Sequence, residues 1–139
     1  MAKLSAPSGF RDFLPDPYRK RAELMRRIRE TYESFGFEGM ETPCLENLSV
    51  FLDKGGGENE KLMFRVLKRG ASLERALEAK DELADHGLRF DLTVPLARFF
   101  ATHRAVLPAV FKRYQIGPVW RAERAQHGRF RESEVPAVL

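Results

Sequence analysis

Arg121, Glu123, Arg124, Arg129 and Arg131 fall within eleven residues, RAERAQHGRFR. A guanidinium is a rigid fork of donors that meets carboxylate or phosphate oxygens in pairs, so arginines gathered around one carboxylate form a pattern for gripping an anion. From Phe111 to Arg131 six basic residues accompany one acid, a local charge of +5, while the rest of the chain sums to −1. Such a field suits a phosphate-bearing partner, nucleotide or nucleic acid, and it also suits a solvated basic surface. Charge does not separate the two.

Spacing adds more. In a strand with period two, Val119, Arg121 and Glu123 share one face and Trp120 and Ala122 the other. A strand holds Arg121 more firmly than a loop would, which matters for a group that must meet a developing charge. Residues 124–130 read as a loop and Arg131 as the start of a returning strand, so Arg129 and Arg131 have the same parity. Phe130 fits stacking on a planar base and burial in a core equally well. His127 has no serine, cysteine or carboxylate arranged with it locally, which argues against acid–base work. A second candidate pair is Asp91 and Thr93 in LRFDLTVPLARFFATH (88–103), where strand-like alternation gives way to a helix. Polar atoms at such element ends serve as binding groups or as local caps. Cys44 is the only cysteine, so it reads as a packed side chain, and no disulfide framework or multi-cysteine metal site is available. No Walker A sequence, GxGxxG or zinc spacing occurs, and GGGENEK (55–61) lacks a lysine at the phosphate-loop position.

The elements that must position these groups follow from local signals. Asp16-Pro17 reads as a helix start, with Asp16 as N-cap and Pro17 where a missing N–H does no harm. Leu24, Met25, Ile28, Tyr32 and Phe35 repeat at helical spacing, and Gly36 ends the run. FEGMETP predicts a strand stopped at Pro43. ENLSVFLDK predicts a short helix, with a strand as the alternative; 55–61 reads as a turn and 62–66 as a strand. The stretch 72–87 predicts a helix closed by Gly87. Thr93 is expected to cap the helix that follows, with Pro95 at its second position. The strand of 111–123 is expected to break or bulge at Gly117-Pro118.

A length of 139 residues fits one domain, and 43% hydrophobic residues with eleven phenylalanines support a packed core. No apolar run spans a membrane and the first ten residues lack a signal-peptide core, so the expectation is a cytoplasmic protein with no membrane partner. The fold class expected is α+β, an antiparallel sheet flanked by helices.

Four segments together resemble the amino-terminal part of a class II aminoacyl-tRNA synthetase catalytic domain, specifically the histidyl-tRNA synthetase family. PSGFRDFLP (7–15) is similar to that domain's opening, FGFEGMETPCLE (35–46) to motif 1 with Pro43 at its proline, LRFDLTVPLARF (88–99) to the histidine-binding segment, and KRYQIGPVWRAERAQHGRFRE (112–132) to motif 2. The resemblance implies a truncated class II-type antiparallel sheet, with residues 1–132 in the catalytic domain and 133–139 a divergent tail. It implies ATP-dependent activation of histidine to an adenylate and transfer to tRNA(His). It implies that Asp91, Thr93 and Arg121 bind histidine, with Arg121 the catalytic group bridging its carboxylate and the ATP α-phosphate. Glu123 is implied at the adenine end, Arg129 at the outer phosphates and Phe130 near the base. ATP with Mg2+ enters as substrate, no bound metal or prosthetic group is expected, and a homodimer through the motif 1 region is implied.

The chain departs from the family after Glu132. Motif 2 there continues through an aromatic residue and a substrate-contacting glutamine on a return strand, whereas this chain reads SEVPAVL, with Pro136 unable to donate. Motif 3 and the histidine-specific arginine segment are not in this sequence, so a chain inactive alone is expected, with self-association through an open sheet edge. Two further readings stand beside it: a non-catalytic paralogue such as a regulatory subunit of ATP phosphoribosyltransferase, and a basic RNA-binding or structural fragment.

Overall fold

The computed structural model describes residues 4–52, 57 and 59–138, without the side chains of 59 and 60. Of the turn expected at 55–61, residues 55, 56 and 58 lie outside the described residues, and 59–61 belong instead to a short helix, Asn59–Leu62. Helix α1 (Pro15–Ser34) starts two residues earlier than its sequence suggests, so Asp16 is not its N-cap. Leu14 is its N-cap and offers no side-chain acceptor. Pro15 and Pro17 instead occupy the first turn, where backbone N–H groups have no helical partner to lose. Gly36 follows the helix with φ +77°, the left-handed conformation that ends it. No residue of α1 is buried. Its Tyr32 ring packs 5.4 Å from Tyr114, while Leu24 and Phe35 stay exposed.

Two three-stranded sheets carry the rest. In the first, β1 (Glu38–Gly39) pairs in parallel with β5 (Arg113–Trp120), which pairs antiparallel with β6 (Glu132–Val138). The expected break at Gly117-Pro118 is absent: the register runs unshifted from Tyr114↔Val138 to Trp120↔Glu132. The reason is local. β1 covers only Arg113 and Tyr114, so at Pro118 the strand has a ladder neighbour on one side alone. Pro136, too, sits within β6 rather than preventing it, because β6 is an edge strand in which proline is tolerated.

The second sheet is antiparallel, ordered β2 (Leu45–Asn47), β4 (Ala84–Leu88), β3 (Arg65–Leu67). Here the helix expected over 72–87 divides in two. Helix α4 (Ala71–Ala79) stops at Lys80, which is left-handed at φ 52°, and the next residues form the central strand. Gly87 is not a helix end but a close-packing point, since a Cβ there would lie 2.9 Å from Met63 Cγ. The ENLSVFLDK segment supplies both of its alternatives, β2 and then α2 (Leu48–Phe51). The strand expected at 62–66 shifts to β3, preceded by α3 (Asn59–Leu62).

Helix α5 (Thr93–His103) begins with Leu92 as N-cap rather than Thr93. The capping oxygen comes from Asp91, whose Oδ1 accepts the Val94 N–H at 3.2 Å. Leu48, Phe51, Met63, Ala84 and Phe90 form the core, with the Phe51 and Phe90 rings 5.3 Å apart. Arg98 of α5 meets the buried Glu46 of β2 with both Nε and Nη2, a paired contact that fixes the helix to the second sheet. The α+β class holds, with antiparallel sheets flanked by helices and one parallel seam.

The Tyr114 hydroxyl donates to Glu33 Oε1 at 2.6 Å, joining β5 to α1. Burial first, and then the Glu33 carboxylate, push its phenol above the usual tyrosine value of 10.0. The folded state therefore keeps a proton that the unfolded chain releases above pH 10, so this contribution to stability is lost as pH rises from there. Spectrophotometric titration at 295 nm should show one of the three tyrosines ionising late, and Tyr114→Phe should remove that late step.

Candidate functional site

The basic loop is a hairpin connection between β5 and β6. Its tip is a tight turn in which Gln126 N donates to Arg129 O (3.1 Å) and Arg129 N to Gln126 O (3.0 Å). Gly128 holds φ +75° at the third turn position, the conformation a type II turn requires and glycine adopts without strain. At the base Arg121 N donates to Arg131 O at 2.7 Å, and Ala122 N reaches Leu62 O at 2.8 Å.

The four loop arginines do not share one job. Arg131 is committed to the backbone: Nε donates to Glu123 O (2.9 Å) and Nη1 to Ser8 O (3.4 Å). Its own N–H donates to Gly9 O at 2.8 Å. Arg129 Nη2 lies 2.6 Å from Glu123 Oε2, an ion pair whose approach falls off the hydrogen-bonding direction. The Arg129 side chain is 56% exposed, whereas Glu123 is 23% exposed with its Oε2 buried, so the cation can swing toward solvent while the carboxylate stays in place. Arg121 is exposed but tethered, its Nε donating to Phe90 O at 3.2 Å. Arg124 is exposed.

Arg121, Arg129 and Arg131 line one small cleft of about 160 Å³ with Val119, Ser133 and Val135. Arg129 and Arg131 both reach it, but the return strand begins only at Glu132, so strand parity is not what brings them there. Phe130 also borders this cleft, and the guanidinium carbon of Arg11 lies 3.7 Å from its ring centroid. One face of the ring is thus already taken by a cation. A larger hollow, about 470 Å³, opens on the side of Pro118 and Glu134, where Arg21 of α1 pairs with Glu134 at 2.6 Å.

The second candidate segment lies alongside. Trp120 N donates to Arg89 O at 2.9 Å, so residues 89–92 run against the end of β5 and bring Asp91 into the neighbourhood of Arg121. Asp91 is half-buried and gives one oxygen to the helix cap; Thr93 is exposed on the first turn of α5. Three contributors were not singled out from sequence: Gly9, Arg11 and Arg89. The Arg89 guanidinium is buried against Thr42, Pro43 and Pro118. A lone Arg between Leu88 and Phe90 reads as the outward side of an alternating strand, which hides it. Gly9 carries a local hint, as a glycine after Pro7-Ser8, but its partner is more than a hundred residues away.

An arginine-bearing hairpin seated on a helix–strand unit and flanked by antiparallel strands is the class II synthetase-type fold. The family profile described as histidyl-tRNA synthetase matches residues 9–134. A histidine–tRNA ligase from Leifsonia xyli is 52% identical over 134 residues, which are 93% of this chain and 31% of that protein. A probable histidine–tRNA ligase from Tropheryma whipplei is 46% identical over 94% of this chain and 30% of its own length. The crystal structure of histidyl-tRNA synthetase from Nostoc sp. PCC 7120 superposes with a TM-score of 0.76 and 34% identity, over 98% of this chain and 28% of that one. A Bacillus halodurans structure described as an ATP phosphoribosyltransferase regulatory subunit/histidyl-tRNA synthetase shares the fold, with a TM-score of 0.72 and 23% identity over 99% of this chain and 32% of its own. The chain belongs to the histidyl-tRNA synthetase family, and it spans about 31% of the length of the curated relatives it matches.

Gly9 ties the amino-terminal segment to this site. It has φ +86°, and a Cβ there would lie 2.7 Å from Arg131 Cγ. Gly9→Ala should cost about 1–3 kcal/mol through strain and displacement of Arg131. Hydrogen exchange should show the Arg121 and Arg131 amides opening faster than the β2–β4 amides; uniform acceleration would contradict the assignment.

Proposed function

We propose that this chain carries the ATP- and histidine-facing groups of a histidine–tRNA ligase, which activates histidine with ATP and transfers it to tRNA(His). The observation that carries the reading is the Arg121 Nε bond to Phe90 O: it sets a guanidinium at once beside Asp91 and in the cleft shared with Arg129. In the reaction a histidine carboxylate oxygen attacks the α-phosphorus of ATP, a P–O bond forms, and pyrophosphate leaves with the electrons of the broken bond. Negative charge grows on the non-bridging α-phosphoryl oxygens. The Arg121 fork bridges these oxygens and the carboxylate, the place where a fixed donor lowers the barrier most. Asp91 and Thr93 receive the α-ammonium group as a carboxylate and a hydroxyl. Arg129, whose side chain is 56% exposed, leaves Glu123 and takes the outer phosphates. That same step frees Glu123 for the adenine end, with Phe130 near the base. Mg2+ enters with ATP as part of the substrate.

On this reading residues 1–132 belong to the amino-terminal part of the catalytic domain and 133–139 are a divergent segment. Ser133 and Val135 face the cleft, on the strand where the resemblance calls for an aromatic and a glutamine. A short hydroxyl and an aliphatic side chain do not replace a stacking ring and an amide. Binding of ATP with little adenylation by this chain alone is therefore the expected behaviour. The same two residues favour, as a second reading, a non-catalytic paralogue that regulates an ATP phosphoribosyltransferase. Among the described residues no helix is long and apolar enough to cross a membrane, in keeping with a cytoplasmic role.

ATP with Mg2+ should raise the melting temperature of the 139-residue chain, and Arg121→Ala should abolish the rise. Histidine-dependent ATP–pyrophosphate exchange should be near background. No ATP stabilisation would sink the binding assignment, and strong exchange would overturn the expected inactivity.

Leu24 of α1 and Phe35 just after its end are exposed apolar side chains in this region, and they support a homodimer through it. Sedimentation equilibrium at micromolar concentration should show self-association that Leu24→Glu weakens; a monomer throughout would refute it.

A further inference from the structure

Arg89 is 3% exposed, yet among the described residues no carboxylate pairs with its guanidinium. Neutral oxygens satisfy it instead. Nε donates to Pro118 O at 2.8 Å, and Nη1 donates to Thr42 O at 2.6 Å and to Pro43 O at 3.3 Å. The buried Gln115 amide, oriented by its hydrogen bonds, places its oxygen 3.1 Å from the same Nη1 and from the Thr42 N–H. The backbone completes the joint, with Arg89 N on Cys44 O at 3.0 Å and Trp120 N on Arg89 O at 2.9 Å. One side chain thus ties three segments together: the 42–44 connector, the middle of β5, and the stretch leading into Asp91.

Two candidate substrate-binding groups, Arg121 and Asp91, hang from this joint by a short chain. Phe90, the next residue, holds Arg121 Nε through its carbonyl. Asp91 follows, with its Oδ1 on the Val94 N–H. Gly117 allows the arrangement, since a Cβ at that position would lie 2.8 Å from Arg89 Nη2.

We propose that Arg89 is a positioning residue: its fork, received by the carbonyls of Thr42, Pro43 and Pro118, sets the separation between Asp91 and Arg121. The planar geometry matters more than the charge. A lysine at the same place keeps the charge but offers a single ammonium, which cannot meet Pro118 on one side and Thr42 on the other. The functional consequence rests on the reading of Asp91 and Arg121 as substrate-binding groups; the structural claim does not.

The test uses the 139-residue chain with 15N labelling and follows two resonances, the Arg121 Nε–H and the Val94 amide. Arg89→Lys should move both, and the rise in melting temperature given by ATP with Mg2+ should shrink. Gly117→Ala retains Arg89 but crowds its guanidinium, and should move the same two signals in a chain that still folds. Tyr114→Phe, which removes the Glu33 contact, should lower the melting temperature without moving either. Resonances that stay in place in both Arg89→Lys and Gly117→Ala while stability falls would reduce Arg89 to a packing role and overturn the proposal. Wild-type chain that binds no ATP would instead refute the functional reading, with the two resonances still deciding the position of Arg121.

Discussion

A guanidinium taken out of water with no carboxylate among the described residues to meet it is the constraint on which the other contacts of the site depend. The effective penalty for such burial is several kcal/mol, and it is offset only when good acceptors surround the donors. In this chain two of those acceptors are proline carbonyls, of Pro43 and Pro118. Both residues sit where a ladder is thin: Pro43 precedes β2, and Pro118 lies beyond the reach of the two-residue β1. Prolines that would weaken a fully paired sheet thus offer free oxygens at the seam of two small ones. The resulting joint is geometrically demanding, because moving any of the three segments strands a buried charge. Gly117 belongs to the same constraint, since only a residue without a Cβ leaves room for the guanidinium.

The basic loop resolves a different problem, that of keeping several like charges close together at low cost. Each cation that borders it has its own partner chemistry. Arg131 is spent on backbone carbonyls, Arg129 on a half-buried carboxylate, and Arg11 on an aromatic face. Arg121 alone is half committed, with one donor on Phe90 O and its remaining donors directed from an exposed side chain. Commitment grades availability. The arginine bound to the backbone shapes the loop, the one in an ion pair can exchange partners, and the tethered one is aimed. Clustered charge in a sequence says nothing of this division, which depends on carbonyls from residues 8, 90 and 123.

Legibility in the sequence follows the range of the forces involved. Helix α1, its glycine stop, α5 and the long strand β5 rest on local periodicity and turn chemistry, and all were readable. The division of 72–87 was not, because Ala84–Leu88 becomes a strand through pairing on both sides and through the fit of Gly87 against Met63. The continuity of β5 and β6 through Pro118 and Pro136 likewise depends on which strands lie beside them, a tertiary fact. In the site, Arg121 and Arg129 were legible from spacing and from the family motif. Arg89 and Gly9 were not, since their partners lie about thirty to a hundred and twenty residues away.

The division of labour along the hairpin also bears on what this chain can do. The donors suited to phosphate oxygens stand on the end of β5 and on the turn, and Arg89 and Gly9 brace them from segments upstream. The remaining wall of the cleft comes from β6, where Val119↔Ser133 and Gly117↔Val135 put two short side chains opposite β5, which ends at Trp120, so that Arg121 lies just beyond the strand expected to carry it. Gripping an anion needs only the first set, because guanidinium forks act on phosphate oxygens without help from the opposite wall. Holding a carboxylate in line with an α-phosphorus needs both, since a near-attack geometry is fixed by contacts on each side of the reacting atoms. On the proposed reading, anion binding and adenylation are therefore separable, and side chains such as Ser133 and Val135 would weaken the second while leaving the groups for the first in place.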